Sequence, residues 1–413
     1  MKRSSGRQRS LDFVVGVPLL RAIGAVRRRR AAPRMPARIG VIVPTAIGDL
    51  ILSVGVLLRI REVFPDAEIH LFHGASNAGV VSLLPMTVVS HQCTFQAVKR
   101  TLGVFRQCAL DICIDITPWA RLTALYAVAS GAFTVGFSTQ RQFRHYAFDS
   151  VVPHLNSRHE IANLAALADV FAQKEVYSVK LAVPSEVPWL GFEWGKCILM
   201  HTCPGGTRAR EKSWPVLYWA QLTRKLVDDG WLVAFSGSGP DGAVIEEILL
   251  NFRGERSRVI SLCNRLSIAG LASALRACRA CVSVDTGVMH LASAVGTPLV
   301  ALFGPSHSSR WGAVSRSAVN LDAPHLAGGF VSLGFEQCGA GMEVMRSLGV
   351  ESVYDTLRDV IQRTVLGPQL GNVGGAEVVE AVMQCDGRIL TEVRWIRDGR
   401  ARWGVDSEKV ELK

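Results

Sequence analysis

The stretch Ser283–Pro305, SVDTGVMHLASAVGTPLVALFGP, contains most of a strand–helix–strand unit and decides the fold. Its apolar residues predict a buried strand over Cys281–Val284, a helix over Val288–Val295 and a second strand over Leu299–Phe303. A Gly-Thr-Pro turn at 296–298 separates the helix from the second strand. Two strands joined through a helix in this way are typical of a parallel sheet, so the unit predicts an α/β fold.

The junction between the first strand and the helix reads Asp285-Thr286-Gly287. An Asp at this position is a common helix cap, so its carboxylate is one candidate acceptor for the free N–H groups of the first turn. A bound anion is the other candidate, because a helix N-terminus carries partial positive charge and Gly287 allows close approach to the backbone. The junction alone leaves both interpretations open.

The same alternation of strands and helices occurs twice along the chain. It begins with a strand at Arg38, pauses in the linker-like segment SEVPWLGFEWGK at 185–196, and restarts with the strand CILMH at 197–201. We therefore expect one Rossmann-like domain over 38–190 and another over 191–366. Ligands of such a pair bind in the cleft between them, at the carboxyl ends of the strands.

The two ends of the chain differ from this pattern. Residues 1–38 contain eleven Lys or Arg and one acid, which accounts for +10 of the net charge of +11. The basic leader over 1–37 is expected to lie on an anionic membrane surface or to be a disordered tail. The extension over 367–413 has no assigned role; its pattern predicts a helix over 376–385 and a strand over 388–396.

Charge and cysteine content exclude several classes of protein. Residues after the leader are almost neutral, which argues against a nucleic-acid-binding body. The ten cysteines show no disulfide framework, which indicates a reducing, cytosolic compartment. The CxxC pair Cys278 and Cys281 joins an apolar helix to a buried strand, so we expect it to be structural. The longest nearly uncharged run, 122–137, is too short to span a membrane.

A glycine-rich segment at Gly237–Gly242, GSGPDG, matches the dinucleotide-binding pattern G-x-G-x-x-G. Pro240 removes a backbone donor that a pyrophosphate needs. The following strand ends without the acid that would bind a ribose, and the segment lies in the second strand–helix unit of its half rather than the first. These three observations argue against NAD, although an NAD-dependent oxidoreductase stays as an alternative.

Three strand-to-helix junctions combine polar residues with glycine. They are TAIGD at 45–49, GGTRAREK at 205–212, and DTG at 285–287 with His290 one helical turn later. Glycine loops, a helix N-terminus and a lysine together suit a diphosphate. Each junction alone has a structural explanation: Asp49 as a cap, Lys212 as a solvated charge, and His290 as a buried core histidine.

Four segments, in this order, resemble glycosyltransferase family 9, the family of ADP-heptose:lipopolysaccharide heptosyltransferases. They are RIGVIVPTAIGDLILSVGVLLRIREVFPDAEIHLF at 38–72, KSWPVLYWAQLTRKL at 212–226, SVDTGVMHLASAVGTPLVALFGPSHSSRWG at 283–312 and CGAGMEVMRSLGVESV at 338–353. The resemblance implies a GT-B fold, in which two Rossmann-like domains face each other across a cleft. It places the acceptor on the N-terminal half and the nucleotide sugar on the C-terminal half.

The resemblance also implies inverting transfer that needs no metal and no cofactor. A base must then take the proton of the acceptor hydroxyl. Asp49 matches the family's loop acid and is the candidate base, with Gly48 beside it in the acceptor site. The leaving diphosphate needs positive potential from the protein, and Lys212 matches the family's phosphate-binding lysine.

The remaining donor-binding candidates surround that lysine. They are the Thr207 hydroxyl, the Thr286 and Gly287 backbone donors, Asp285 and His290 to orient the phosphate or sugar, and Asp241, with Glu246 as the alternative, for the ribose. Where family members often read His-Pro-Gly, this chain reads HTCPGG at 201–206, so the loop that carries Thr207 is expected to differ.

Two arginines are candidates for binding the acceptor. Arg141 and Arg144 lie in FSTQRQFRHYAF at 137–148, after a predicted strand. Pairs of arginines suit carboxylate or phosphate groups on a lipid-linked acidic glycan, and a solvated basic loop is the alternative.

The sequence therefore predicts a cytosolic glycosyltransferase, peripheral on the inner face of the cytoplasmic membrane. It would move heptose from ADP-heptose to a lipopolysaccharide-core or related glycan. The alternatives are a non-catalytic nucleotide-sugar-binding protein, an NAD-dependent oxidoreductase and a nucleotide-sugar epimerase.

Overall fold

A computed structural model describes most of the chain up to Val365 and four short strands beyond it. The described residues are 6–174, 176–206, 208–331, 333, 336, 343–365, 378–384, 389–390, 396–397 and 400–401. Within them, no helix combines the length and the apolarity needed to cross a bilayer.

Strands and helices alternate along both halves of the chain. The strands are β1 Arg38–Val43, β2 Glu68–His73, β3 Val89–Gln92, β4 Ile112–Asp115, β5 Phe133–Thr139, β6 Ser150–His154, β7 Val176–Ala182, β8 Cys197–His201, β9 Leu232–Ser236, β10 Val259–Ser261, β11 Ala280–Val284, β12 Leu299–Phe303, β13 Ala318–Asp322, β14 Val378–Gln384, β15 Ile389–Leu390, β16 Ile396–Arg397 and β17 Arg400–Ala401. The α-helices are α1 Gly6–Val26, α2 Ile47–Val63, α3 Val98–Gln107, α4 Arg121–Ala129, α5 Glu160–Ala168, α6 Val216–Asp228, α7 Gly242–Asn251, α8 Ile268–Ala277, α9 Gly287–Ala294, α10 Ser308–Trp311, α11 Glu343–Arg346 and α12 Val350–Val365.

Each half contains a six-stranded parallel sheet with the same strand order. The N-terminal sheet runs β3-β2-β1-β4-β5-β6 and the C-terminal sheet runs β10-β9-β8-β11-β12-β13. In both, the first strand of the half lies at the centre and the order reverses beside it, which is the Rossmann arrangement. This doubled sheet confirms the predicted α/β fold of two Rossmann-like domains. The exact domain boundaries stay predictions.

The strand–helix–strand unit predicted around Asp285 is confirmed as β11, α9 and β12. Both strands are buried along their whole length, as is α9 after its first residue. Small residues in α9 allow this burial, because helix and sheet pack closely where side chains are short. The carboxyl end of β11 and the N-terminus of α9 therefore have a fixed position.

Helix α2 joins the two domains. It is apolar around most of its surface, and Leu50, Ile51, Val54 and Leu57 have no exposed area. A helix that is apolar on all sides must be covered on all sides. Here α5 and β7 cover part of it and α9 of the C-terminal half covers another part. The contact between α2 and α9 brings the β1–α2 junction of the N-terminal half and the β11–α9 junction of the C-terminal half together.

The basic leader forms helix α1, which packs on α4. Val17 and Leu20 are buried against the domain. Asp12 forms an ion pair with Arg121 at 3.0 Å, and this pair attaches the first half of α1 to α4. Over Gly6–Val26 the leader is therefore a helix packed on the N-terminal domain.

The helix predicted over 376–385 is wrong. Residues Val378–Gln384 instead form β14, which pairs antiparallel with β7 from Val378↔Ala182 to Gln384↔Val176. The segment VVEAVMQ contains β-branched residues, and the edge of β7 offers it a full set of backbone partners. Of the strand predicted over 388–396, only 389–390 and 396 lie within the described residues.

Candidate active site

The first junction of the N-terminal half, between β1 and α2, is held by its own side chains. The Ala46 N–H at the helix N-cap donates to the Asp49 carboxylate at 3.0 Å. Asn77, which is fully buried, donates from Nδ2 to the Val43 carbonyl at 2.8 Å and accepts the Gly74 N–H at 2.8 Å. The loop that carries Asp49 therefore has a defined geometry.

The junction between β11 and α9 is built differently. Thr286 is the N-cap of α9 and makes no side-chain capping hydrogen bond. The carboxylate of Asp285 instead accepts hydrogen bonds from Lys212 Nζ at 2.6 Å and from Ser306 Oγ. The interpretation of Asp285 as a simple helix cap is therefore wrong. Its carboxylate holds the lysine beside the helix N-terminus.

Lys212 and Asp285 form an ion pair that is mostly shielded from water. Their side chains are 16% and 10% exposed. Burial alone would raise the pKa of Asp285, but the charge and hydrogen bond of Lys212, with the Ser306 hydroxyl, lower it overall. Asp285 is thus ionised at neutral pH and fixes the ammonium group next to the first turn of α9.

The two domains touch at the N-termini of α2 and α9. A Cβ placed on Gly48 would lie 2.7 Å from His290 Cδ2, and one on Gly287 would lie 2.7 Å from Ile47 Cβ. Only glycine permits this approach, because real side chains do not tolerate such separations. The predicted acceptor-site glycine and the predicted donor-site glycine therefore face each other across the domain boundary.

His290 is close to the acids of both junctions. Burial lowers the pKa of its imidazole, and the nearby charges of Asp285 and Asp49 only partly offset that effect. His290 is therefore neutral near pH 7. It interacts electrostatically with a carboxylate from each domain, which the sequence alone did not show.

Two other predicted donor residues are not part of this cluster. Thr207 lies outside the described residues. Asp241 accepts hydrogen bonds from the Ser238 N–H at 2.7 Å and from Ser238 Oγ at 2.9 Å, so it caps the short turn that precedes α7. The same contact occupies a backbone donor of the GSGPDG segment, which further weakens the NAD alternative. A contact between Asp241 and the donor ribose stays a prediction.

The two predicted acceptor arginines have different environments. Arg141 is exposed on the loop after β5. Arg144 is fully buried, pairs with Asp115, and donates to the backbone carbonyls of Thr117 and Ala120. The acceptor role predicted for Arg144 is therefore wrong, because the guanidinium has no exposed surface and binds the carboxyl end of β4. Its role is to hold the loop after β4.

Sequence reasoning missed Ser306 and Asn77. Ser306 follows β12 and reaches the Asp285 carboxylate, while Asn77 follows β2 and supports the Asp49 loop. Each follows the carboxyl end of a strand that neighbours β1 or β11 in its sheet. That position is where ligand-site residues of such sheets are expected, and it could have identified both residues. Within the described part of the chain, the converging set of three metal-ligating side chains lies elsewhere, in the N-terminal sheet.

Comparison with known proteins relates this geometry to a family. The family model of glycosyltransferase family 9 (heptosyltransferase) matches residues 100–327. Lipopolysaccharide heptosyltransferase 1 of Pseudomonas aeruginosa is 38% identical over 116 residues, which is 28% of this chain and 32% of that protein. Lipopolysaccharide heptosyltransferase 2 of Escherichia coli is 34% identical over 128 residues, which is 31% of this chain and 34% of that protein. The chain thus spans about a third of the length of these two curated relatives.

Among solved structures, the E. coli ADP-heptose LPS heptosyltransferase II superposes on this chain with a TM-score of 0.63 at 20% identity. The superposition covers 79% of this chain and 99% of that chain. This likeness supports the GT-B fold. Because the family model matches more than half of its residues, the chain belongs to glycosyltransferase family 9.

Proposed function

We propose that this protein is an inverting glycosyltransferase that moves heptose from ADP-heptose to a lipopolysaccharide-core or related glycan. Family membership and the names of the two curated relatives support the reaction class. The observation that carries the proposal is that the Asp49 loop and the junction with the Lys212–Asp285 pair meet at the domain boundary, where His290 is close to both acids. A base and a diphosphate site are then within one cleft.

The donor site is formed by α9 and Lys212. The N–H groups of the first turn of α9 have no side-chain cap from Thr286, so they can donate to phosphate oxygens. An ammonium group has three donors, so the bond from Lys212 to Asp285 is compatible with bonds to a phosphate. Asp285 positions the lysine, and the lysine with the helix dipole stabilises the charge of the departing ADP.

Asp49 supplies the base on the acceptor side. As the acceptor oxygen forms its bond to the anomeric carbon, its proton passes to the Asp49 carboxylate. The bond between that carbon and the phosphate oxygen breaks, and ADP leaves with the electron pair. Attack from the face opposite the leaving group inverts the anomeric configuration. The hydrogen bond from Ala46 orients the carboxylate before the substrate arrives.

Lys212 and the α9 amides take the part that a divalent cation plays in other nucleotide-sugar enzymes. We therefore expect transfer without added Mg²⁺ or Mn²⁺. Arg141, exposed after β5, is the proposed contact to an acidic group on the acceptor.

The direct test is transfer by the purified protein from ADP-heptose to a heptose-deficient lipopolysaccharide core. We expect ADP release, a one-heptose mass increase of the acceptor, and an inverted anomeric configuration by NMR. Donor binding without transfer to any core acceptor would favour a non-catalytic binding protein. A melting temperature raised by NAD(H) and not by ADP-sugars would favour the oxidoreductase.

We also propose that α1 contacts the inner membrane surface, where a lipid-linked acceptor is found. Leu11 and Val14 are 64% and 67% exposed on the side of α1 that faces away from the domain. The helix is followed by the exposed cations Arg28, Arg29 and Arg30. An exposed apolar helix face beside arginines fits the interface of an anionic bilayer.

Vesicle flotation tests this contact. We expect the protein to float with vesicles that contain phosphatidylglycerol, and the double variant Leu11→Glu/Val14→Glu to remain in solution. Leu250→Glu is the matched control, because Leu250 is 74% exposed on the C-terminal domain. Equal flotation of the double variant and the control would contradict a role for α1.

A further inference from the structure

Three metal-ligating side chains converge on the outer strand pair of the N-terminal sheet. His70 lies on β2, His91 on β3, and Cys108 is the residue that ends α3. One ligand atom from each lies within 4.8 Å of the other two. The glycosyl transfer proposed above uses none of these residues.

The strand register explains why the two imidazoles meet. Phe72 on β2 pairs with His91 on β3, and side chains two apart on a strand share a face, so His70, Phe72 and His91 lie on the same side of the sheet. The His91 ring stacks on the Phe72 ring with centroids 4.9 Å apart. The end of α3 covers this face and adds the thiol of Cys108, which is buried. Packing therefore fixes the directions of the ligands.

The two His91 distances are close to those around a tetrahedral zinc ion, and the third pair lies within 4.8 Å. Zn–N bonds of about 2.0–2.1 Å and Zn–S bonds of about 2.3 Å hold two nitrogens about 3.3 Å apart, and a nitrogen and a sulfur about 3.6 Å apart. His70 Nδ1 lies 2.9 Å from His91 Nε2, and His91 Nε2 lies 3.6 Å from Cys108 Sγ. The imidazoles need to separate by only a few tenths of an ångström.

A carboxylate forms a hydrogen bond with the other ring nitrogen of His70. His70 Nε2 lies 2.9 Å from Glu68 Oε2, to which it donates its proton. This bond leaves His70 Nδ1 without a proton, and that nitrogen faces His91 Nε2. A carboxylate–histidine pair of this kind orients the imidazole in many metal sites and makes it a better ligand.

We propose that His70 Nδ1, His91 Nε2 and Cys108 Sγ bind a zinc ion. Two imidazoles and a thiolate are a ligand set that zinc accepts in tetrahedral geometry. The thiol proton of Cys108 leaves as the sulfur binds, and a water molecule completes the coordination from the partly exposed side of His91. The ion ties β2, β3 and the end of α3 together, so its role is to hold the edge of the acceptor-side sheet.

Metal titration of the full chain, freed of metal by chelation and then desalted, tests this site independently of transfer. We expect one Zn²⁺ per chain to raise the melting temperature. With Co²⁺ as the spectroscopic substitute, we expect the near-ultraviolet charge-transfer band of a cobalt–thiolate bond. Absence of that band in the wild-type protein would overturn the proposal without recourse to any variant.

Matched variants identify the ligands. Cys108→Ser should lose the thiolate band and His91→Gln should weaken cobalt binding. Cys263→Ser and His145→Gln, which replace a partly exposed thiol and imidazole away from the cluster, should leave both unchanged. A thiolate band that persists in Cys108→Ser would assign the metal to another cysteine and contradict the proposed site.

Discussion

Each half has one acid at a junction between a central strand and the helix that follows it, Asp49 after β1 and Asp285 after β11, and the two acids behave differently. Asp49 lies three residues after its N-cap and accepts the N–H of that N-cap, Ala46. Asp285 lies one residue before its N-cap, Thr286, and turns to Lys212 and Ser306. The first acid satisfies a donor of its own helix, whereas the second leaves the N-terminus of α9 without a side-chain cap.

This difference separates two kinds of chemistry. An acid held in its own helix turn has a fixed direction and suits proton transfer. An acid that holds a lysine beside an uncapped helix N-terminus leaves positive potential for an anion. Glycines at 48 and 287 let the two junctions touch, so the proposed base and the proposed diphosphate site meet across the domain boundary.

The largest expected effect is that of Asp49→Asn on turnover. The amide keeps the shape of the side chain and an acceptor for the Ala46 N–H, but it cannot take a proton. We expect kcat to fall by about 10²–10⁴-fold, with the melting temperature and ADP affinity close to wild type. Asp228→Asn, an exposed acid on α6, is the matched control. A kcat near that of the control would remove Asp49 as the base.

Asp285→Asn should instead lower the stability of the fold and the affinity for ADP. It removes the counter-charge of a mostly buried lysine, so we expect a loss of stability of up to about 3 kcal/mol together with weaker ADP binding. Denaturant unfolding and calorimetry measure the two effects. If Asp285→Asn lost kcat alone, with stability and ADP affinity unchanged, the two acids would not differ as described.

Gly48→Ala tests the contact between the junctions. The added methyl group would lie 2.7 Å from His290 Cδ2, so the buried imidazole or the domains must shift, at a cost of about 1–3 kcal/mol and some loss of kcat/KM. Gly103→Ala in α3 is the matched control, since a methyl group there meets nothing within 4 Å. That substitution should be neutral or stabilise by up to about 1 kcal/mol. Equal behaviour of the two variants would mean that α2 and α9 do not touch in solution.

The smallest expected effect is on the acid dependence of stability. The pKa of His290 is lowered in the folded protein, so the unfolded chain binds a proton first and folding stability falls as the pH drops below about 6.5. His201, whose pKa burial lowers to about 4, acts in the same direction. Each histidine contributes a slope of at most about 1.4 kcal/mol per pH unit.

His290→Gln should therefore have a shallower loss of stability below pH 6.5 than the wild-type protein, as measured by urea unfolding at several pH values. The Asp285 contribution is separable, because a carboxylate with a lowered pKa keeps its stabilising effect until the pH falls below about 3.8. An unchanged slope in His290→Gln would show that this imidazole is not held neutral by the fold.

The fold was predictable because its signal is local. The apolar spacing around Asp285 defines β11, α9 and β12 within a few residues. The partner of Asp285 was not predictable by the same means, since Lys212 lies 73 positions away and is brought close only by the folded sheet. The family resemblance predicted Lys212 as a site residue, but neither the resemblance nor the local pattern predicted the role of Ser306.

The two wrong predictions, for Arg144 and for the segment Val378–Gln384, have the same physical cause. Arg144 has the sequence context of an exposed loop, yet its partner Asp115 lies 29 positions earlier, at the end of a neighbouring strand. The segment Val378–Gln384 is compatible with a helix by itself and becomes a strand because the edge of β7 pairs with it. In both, a contact distant in sequence outweighs the local pattern.

The central claim is that Lys212, positioned by Asp285 beside the N-terminus of α9, binds the diphosphate. Calorimetry of ADP binding to Lys212→Gln tests it most directly, with Lys225→Gln on the surface of α6 as the control. We predict that Lys212→Gln lowers ADP affinity at least about tenfold, which corresponds to about 1.4 kcal/mol, while the control binds like the wild-type protein. Equal ADP affinity in all three proteins would contradict the account.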